Sequence, residues 1–218
     1  MVELTVRVQQ TASRIKVVYT LANPSTHAVY VQNRYGAPRR AGGGVYGGGR
    51  SLNDTSDKRA PFSTGSACVW PSKDGTLVLF QGDVPPAVFP APAEWPEPAF
   101  SKIDPSPTTF EIELGRPIHQ WENNGTKPAS GPLLKVRRLT LCLDALLDPL
   151  VAQELDGAPG SFACDYGQPG YVEATMELDR PVEIVTELGA SGRGDAKLAA
   201  LKTLVRLNGP PPSRPGRR

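Results

Sequence analysis

The chain has 218 residues, with 24 Lys or Arg against 22 Asp or Glu, so its net charge is +2. A balance this close gives no electrostatic reason to expect nucleic acid or an anionic membrane as a partner. The first residues, MVELTVRVQQ, lack the apolar core of a signal peptide, and no apolar run is long enough to span a bilayer. A cytoplasmic protein without membrane contact is therefore expected.

Val2, Leu4, Val6 and Val8 alternate with Glu3, Thr5, Arg7 and Gln9, the period-two pattern of a strand. Ile15, Val17, Tyr19 and Leu21 repeat that pattern, and Asn23-Pro24 ends it because proline cannot donate to a ladder. Val29, Tyr30 and Val31 open a third strand. The stretch Ile15 to Tyr35 reads as a hairpin about the loop ANPSTH, and the three strands together as a meander.

From Gly36 to Ser66 the pattern gives way to Gly, Arg and small polar residues, which reads as one long loop and a place to look for a site. The segments at Ala67–Trp70 and Thr76–Gln81 flank PSKDG, whose Asp74-Gly75 supplies the left-handed backbone of a tight hairpin. Eight prolines between Pro85 and Pro107 predict an extended connection. Thr108 to Leu114 is a strand with Phe110, Ile112 and Leu114 inward and Glu111 and Glu113 outward. Leu133 to Leu143 is the longest strand candidate and should be central.

Asp144 to Leu155 reads as a short helix or turn around Asp148-Pro149, and Gly157 to Gly170 as loop. Tyr171–Leu178 and Val182–Leu188 read as two strands joined by Asp179-Arg180-Pro181. From Asp195, the residues Leu198, Leu201, Leu204, Val205 and Leu207 follow helical spacing, with Asp195 as the cap and Asn208-Gly209 as the stop. The tail PPPSRPGRR is basic, proline-rich and expected to be disordered. The division is a β-sandwich domain over 1–190, a C-terminal helix over 191–209 and a tail over 210–218.

Chemistry-bearing motifs are sparse. Cys68, Cys142 and Cys164 are an odd, widely spaced set with no metal-binding pattern, so no metal or cofactor is expected. Gly42–Gly44 and Gly47–Gly49 lack the Lys-Ser/Thr and the helix that a phosphate loop needs. His27 and His119 have no catalytic spacing, and no catalytic residue is assigned. Asn53-Asp54-Thr55 and Asn124-Gly125-Thr126 read as turn chemistry, and Arg193-Gly194-Asp195 as chance. Arginines and aromatics in long loops remain: Arg39, Arg40, Tyr46, Arg50, Trp95 and Trp121 are the expected binding residues.

The stretch VVYTLANPSTHAVYVQNR resembles the opening of uncharacterised bacterial cytosolic immunoglobulin-like proteins, in which a strand ends in a Leu-x-Asn turn. A fainter similarity is to the intracellular proteinase inhibitor domain. Together with the strand, loop and helix patterns above, these resemblances lead to a mostly β fold, an immunoglobulin-like antiparallel β-sandwich with long loops and a C-terminal amphipathic helix. They carry over no functional residue; the lack of a catalytic constellation, and long loops bearing arginines and aromatics on a rigid β scaffold, point to a non-catalytic module that binds another protein, a description that an inhibitor or immunity-type protein fits by analogy of fold. The alternatives are a hydrolase or transferase whose loop-built site includes His119, and a β-sandwich that binds a small ligand.

Overall fold

The computed structural model describes residues 1–40, 67–82, 94–120, 131–186 and 193–209. In chain order the elements are β1 (Glu3–Gln10), β2 (Arg14–Ala22), β3 (Val29–Arg40), β4 (Cys68–Pro71), β5 (Thr76–Gln81), β6 (Glu94–Ile103), β7 (Thr108–Gly115), β8 (Ile118–His119), β9 (Leu133–Leu147), β10 (Val151–Glu154), β11 (Phe162–Asp165), β12 (Gln168–Val185), α1 (Arg193–Leu201) and β13 (Val205–Arg206). The described residues are mostly β, with one short helix.

Two sheets share a core. Strands β1, β2 and β7 form an antiparallel sheet in the order β1-β2-β7, while the other ten strands form the second, with the main path β10-β11-β6-β3-β9-β12-β13. The alternation read in Ile15–Leu21 and Thr108–Leu114 places Ile15, Val17, Tyr19, Leu21, Phe110, Ile112 and Leu114 in the core. Leu77, Leu79, Leu139, Leu141, Leu143 and Val172 meet them from the second sheet. The opposite face of the three-stranded sheet is charged, and Lys16 meets Glu111 at 2.8 Å across β2 and β7 while Arg14 meets Glu113. Such exposed pairs contribute little stability.

β9 is central, as its length suggested. It lies antiparallel to β12 along its course, while β5 and then β3 pair with its other side. β5 is parallel to β9, and β8 and β13 are parallel to β12, so the second sheet is mixed and not wholly antiparallel.

The expected hairpin of Ile15–Tyr35 does not form. β1 and β7 already occupy both edges of β2, leaving no ladder for β3, which crosses instead to the second sheet beside β6 and β9. The loop between them is tied down locally: the Asn23 side-chain amide donates to the His27 carbonyl at 2.7 Å and its carbonyl accepts the Ser25 hydroxyl at 2.6 Å. β9 continues to Leu147, and of the short helix or turn expected around Asp148-Pro149 the turn forms, followed by the strand β10. Asp148 makes that turn with φ of 43°, a left-handed conformation that aspartate tolerates. The loop expected over Gly157–Gly170 contains β11 and the start of β12. The two strands expected on either side of Asp179-Arg180-Pro181 are one, β12, with a register shift between Glu177 and Val182 that absorbs the proline.

A second, smaller core lies on the other face of the large sheet. Cys68, Trp70, Val78, Phe80, Cys142 and Tyr171 form its floor and Leu201 of α1 covers it. Lys197 of α1 reaches Asp144 at 3.5 Å and lies 4.9 Å above the Phe80 ring. Gly194 is pressed against Trp70, where a Cβ would come within 2.3 Å of the indole. The helix ends at Leu201, short of the expected span, because the chain then turns into β13 beside β12. Leu207 enters the main core, its N–H donating to the Tyr171 carbonyl at 2.8 Å and its carbonyl accepting the Val2 N–H at 2.8 Å. Asp195 lies in the first turn of the helix and not at its cap, where its charge still suits the helix dipole.

Candidate functional site

β3 and β6 run together beyond the sheet that supports them. β9 meets β3 only at Val29–Val31, and β11 meets β6 only at Phe100. The antiparallel pairing of β3 with β6 continues past both, ending with Pro38 opposite Pro96, Arg39 opposite Trp95 and Arg40 opposite Glu94. Among the described residues, Arg34–Arg40 and Glu94–Ala99 are thus a two-stranded ribbon with no third strand on either side.

Two register shifts shape this ribbon, one between Gln32 and Arg34 and one between Tyr35 and Pro38. Shifts of this kind bend a strand pair and increase its twist. Pro38, Pro96 and Pro98 lie within it, a placement that proline finds tolerable only at edges and bulges. They also remove backbone donors from the ribbon edges, which disfavours further strand addition.

The root of the ribbon is fixed by a chain of hydrogen bonds. Arg34 Nε donates to Ser101 Oγ at 2.7 Å, and Ser101 donates to Asn33 Oδ1 at 2.7 Å. Asn33 Nδ2 then donates to the Tyr19 hydroxyl at 3.0 Å, which donates to Gln81 Oε1 at 2.6 Å. Every donor points the same way, from the guanidinium into the core, an order in which neighbouring bonds polarise one another. Tyr19, Asn33, Gln81 and Ser101 are buried. Burial pushes the Tyr19 phenol well above its ordinary value and outweighs the opposing effects of Asn33 and Arg34.

Arg34 is half-buried, and desolvation lowers its pKa while the Tyr19 side chain opposes the shift. Its Nη1 lies 3.3 Å from Ser161 Oγ and 3.5 Å from the Pro159 carbonyl, so the β10–β11 loop closes over it. The network holds β3, β6, the β10–β11 loop and the first sheet in one arrangement where the ribbon emerges.

Of the expected binding residues, Arg39 and Trp95 are brought together as cross-strand partners and Arg40 is next to them in register. Of the loop expected over Gly36–Ser66, Gly36–Arg40 belong to β3 and the rest lies outside the described residues; of the proline-rich connection, Glu94–Ile103 form β6. Tyr46, Arg50, Trp121 and both glycine triplets lie outside the described residues. Arg40 leads into 41–66 and Glu94 follows 83–93, so the two longest of these segments attach at the ribbon's end.

Sequence reasoning missed the polar root. Its signal was Gln32-Asn33-Arg34, three successive polar residues where strict alternation fails, which marks a bulge and not a simple strand.

The histidines are separate from this region of the sequence register. His27 Nδ1 lies 2.6 Å from Asp148 Oδ2, across the turns that precede β3 and follow β9. His119 is half-buried on β8, opposite Val185 of β12. The three cysteines form no disulfide; burial raises the Cys164 thiol to about 12. Among the described residues no group of three His, Cys, Asp or Glu side chains converges to hold a metal ion, and no helix is long and apolar enough to cross a membrane. Comparison with known proteins finds no matching family model, no similar curated protein and no similar solved structure.

Proposed function

We propose that this chain is a non-catalytic protein-binding module of the cytoplasm, an immunoglobulin-like sandwich whose β3–β6 ribbon is the contact arm. The observation that carries the reading is the register that sets Arg39 opposite Trp95 on a ribbon with no third strand among the described residues. Arginine and tryptophan dominate binding energy at protein interfaces because each joins a large contact area to directional hydrogen bonding. The prolines favour recognition through side chains over strand addition. A rigid root lowers the entropic cost of presenting such an arm to a partner. An inhibitor or immunity-type protein, which must neutralise its partner by occupancy alone, needs nothing more than this.

The test compares immobilised wild-type chain with an Arg39→Glu, Arg40→Glu, Trp95→Ala variant in extracts of the source cells. A partner held by the wild type is expected to be lost by about tenfold or more in the variant, while His119→Ala retains it. Equal retention by a triple variant with an unchanged circular dichroism spectrum overturns the reading.

A further inference from the structure

The turn between β1 and β2, the start of β8 and the bulge of β12 border a groove of about 510 Å³ lined by Ala12, Arg116, Pro117, Lys135, Pro181 and Glu183. It lies across β9 from the ribbon, since β3 and β12 flank β9 on opposite sides. Its walls are tied together. The Gln10 side-chain amide donates to the Arg180 carbonyl at 2.9 Å, and the Gln10 side-chain carbonyl accepts the Arg180 N–H at 3.0 Å. The Arg116 N–H donates to the Ser13 carbonyl at 2.9 Å. These bonds hold the first sheet to the β12 bulge, so the groove exists before anything enters it.

Arg116 is the unusual member of this lining. Its Nε and Nη2 are out of solvent contact and meet no hydrogen-bond acceptor among the described residues. A guanidinium cannot shed its proton to escape that situation, and buried donors are costly to leave unmade. Nε–H and Nη2–H form one edge of the planar fork, with the spacing that accepts both oxygens of a carboxylate.

Lys135 adds a second cation. Its partner Glu183 is 3.6 Å away and both side chains are about half exposed or more, so this pair is weak and exchangeable. Glu183 also disfavours a doubly charged anion. Ala12, Pro117 and Pro181 supply apolar wall beside the charges.

We propose that this groove binds a carboxylate on an apolar stem, held side-on by Arg116 with Lys135 as the second contact. Binding requires the side-chain torsions of Arg116 to turn its unpaired edge, now out of solvent contact, into the groove. The carboxylate has two sources, a free organic acid or the C-terminus of a peptide. The assignment is independent of the ribbon.

The test is NMR of the ¹⁵N-labelled full chain, following the Arg116 Nε–H resonance and the backbone amides of Ser13 and Gly115. The probes are 4-methylpentanoate and its amide, and an acetylated dipeptide ending in leucine as the free acid and as the C-terminal amide. Saturable shifts of these resonances are expected with a carboxylate and not with its amide, and they vanish for the backbone amides in Arg116→Lys. Tighter binding of the peptide acid assigns the site to chain termini, and tighter binding of 4-methylpentanoate assigns it to free acids. Where Arg116→Lys does not fold, Lys135→Gln is expected to weaken binding several-fold while the Arg116 shift persists. Absence of saturable shifts with either carboxylate overturns the proposal, as do equal shifts with the amides or affinity unchanged in both variants.

Discussion

Two side chains show how single residues hold this fold. Tyr19 is the joint between the two sheets, since its hydroxyl both accepts from Asn33 and donates to Gln81 while its ring stacks on Phe110 with centroids 5.2 Å apart. Tyr19→Phe keeps the stacking and strands a buried Asn33 donor, so it is expected to destabilise by about 1–3 kcal/mol in urea unfolding. A loss much smaller than this would mean that the network has slack. Asp148 works at the surface. The His27 bond first, and then the Ala28 N–H, hold its carboxyl below the ordinary carboxylate value. A depressed folded pKa contributes stability above the unfolded value, near about 3.9, and loses it as pH falls through the lower folded value. Wild type is therefore expected to exceed Asp148→Asn in urea midpoint at pH 5–6, with the gap closing as the pH is lowered below about 4. A gap that persists undiminished in acid contradicts this role.

At the scale of elements, the C-terminal segment is part of the packing. Leu201 covers the small core over Trp70 and Phe80, Lys197 pairs with Asp144, and Leu207 enters the main core beyond the helix. Asn208 extends the pairing of β13: its side chain accepts the Glu173 N–H at 2.9 Å and donates to the Glu173 carbonyl at 2.8 Å, as a strand backbone would. Leu201→Ala is expected to cost about 2–5 kcal/mol, measured by chemical denaturation, whereas a helix lying loosely on the surface would lose almost nothing. The apolar spacing of Leu198 and Leu201 announced the helix, but its stop was not legible. Leu204, Val205 and Leu207 continue the helical period, and only β12 as a neighbour converts them into a turn and a strand. The β4–β5 hairpin was fully legible because Asp74-Gly75 determines its turn locally; Gly75 has φ of 76°, and Ser72 and Asp74 bond to each other across it.

For the whole molecule, local alternation identified strands but not their partners. Whether β3 returns beside β2 or crosses to the other sheet depends on β7, which arrives some 90 residues later in the chain and takes the open edge of β2. The core residues of β2, β7 and β9 were readable from alternation alone, whereas the ribbon was not, because its glycine and prolines suggest loop and its pairing rests on the register set lower down at Asn33 and Ser101. Arg39, Arg40 and Trp95 were readable as types suited to contact, and their adjacency follows only from that register. The central claim is that this arm meets a partner protein. It is tested most directly by placing a photo-crosslinking benzoylphenylalanine at position 95 in the cells that make the protein, with a control at the exposed Glu177. The account predicts a discrete adduct with one protein from position 95, none from position 177, and loss of the adduct when Arg39→Glu and Arg40→Glu are added. No adduct from position 95, or one that survives both charge reversals, would contradict it.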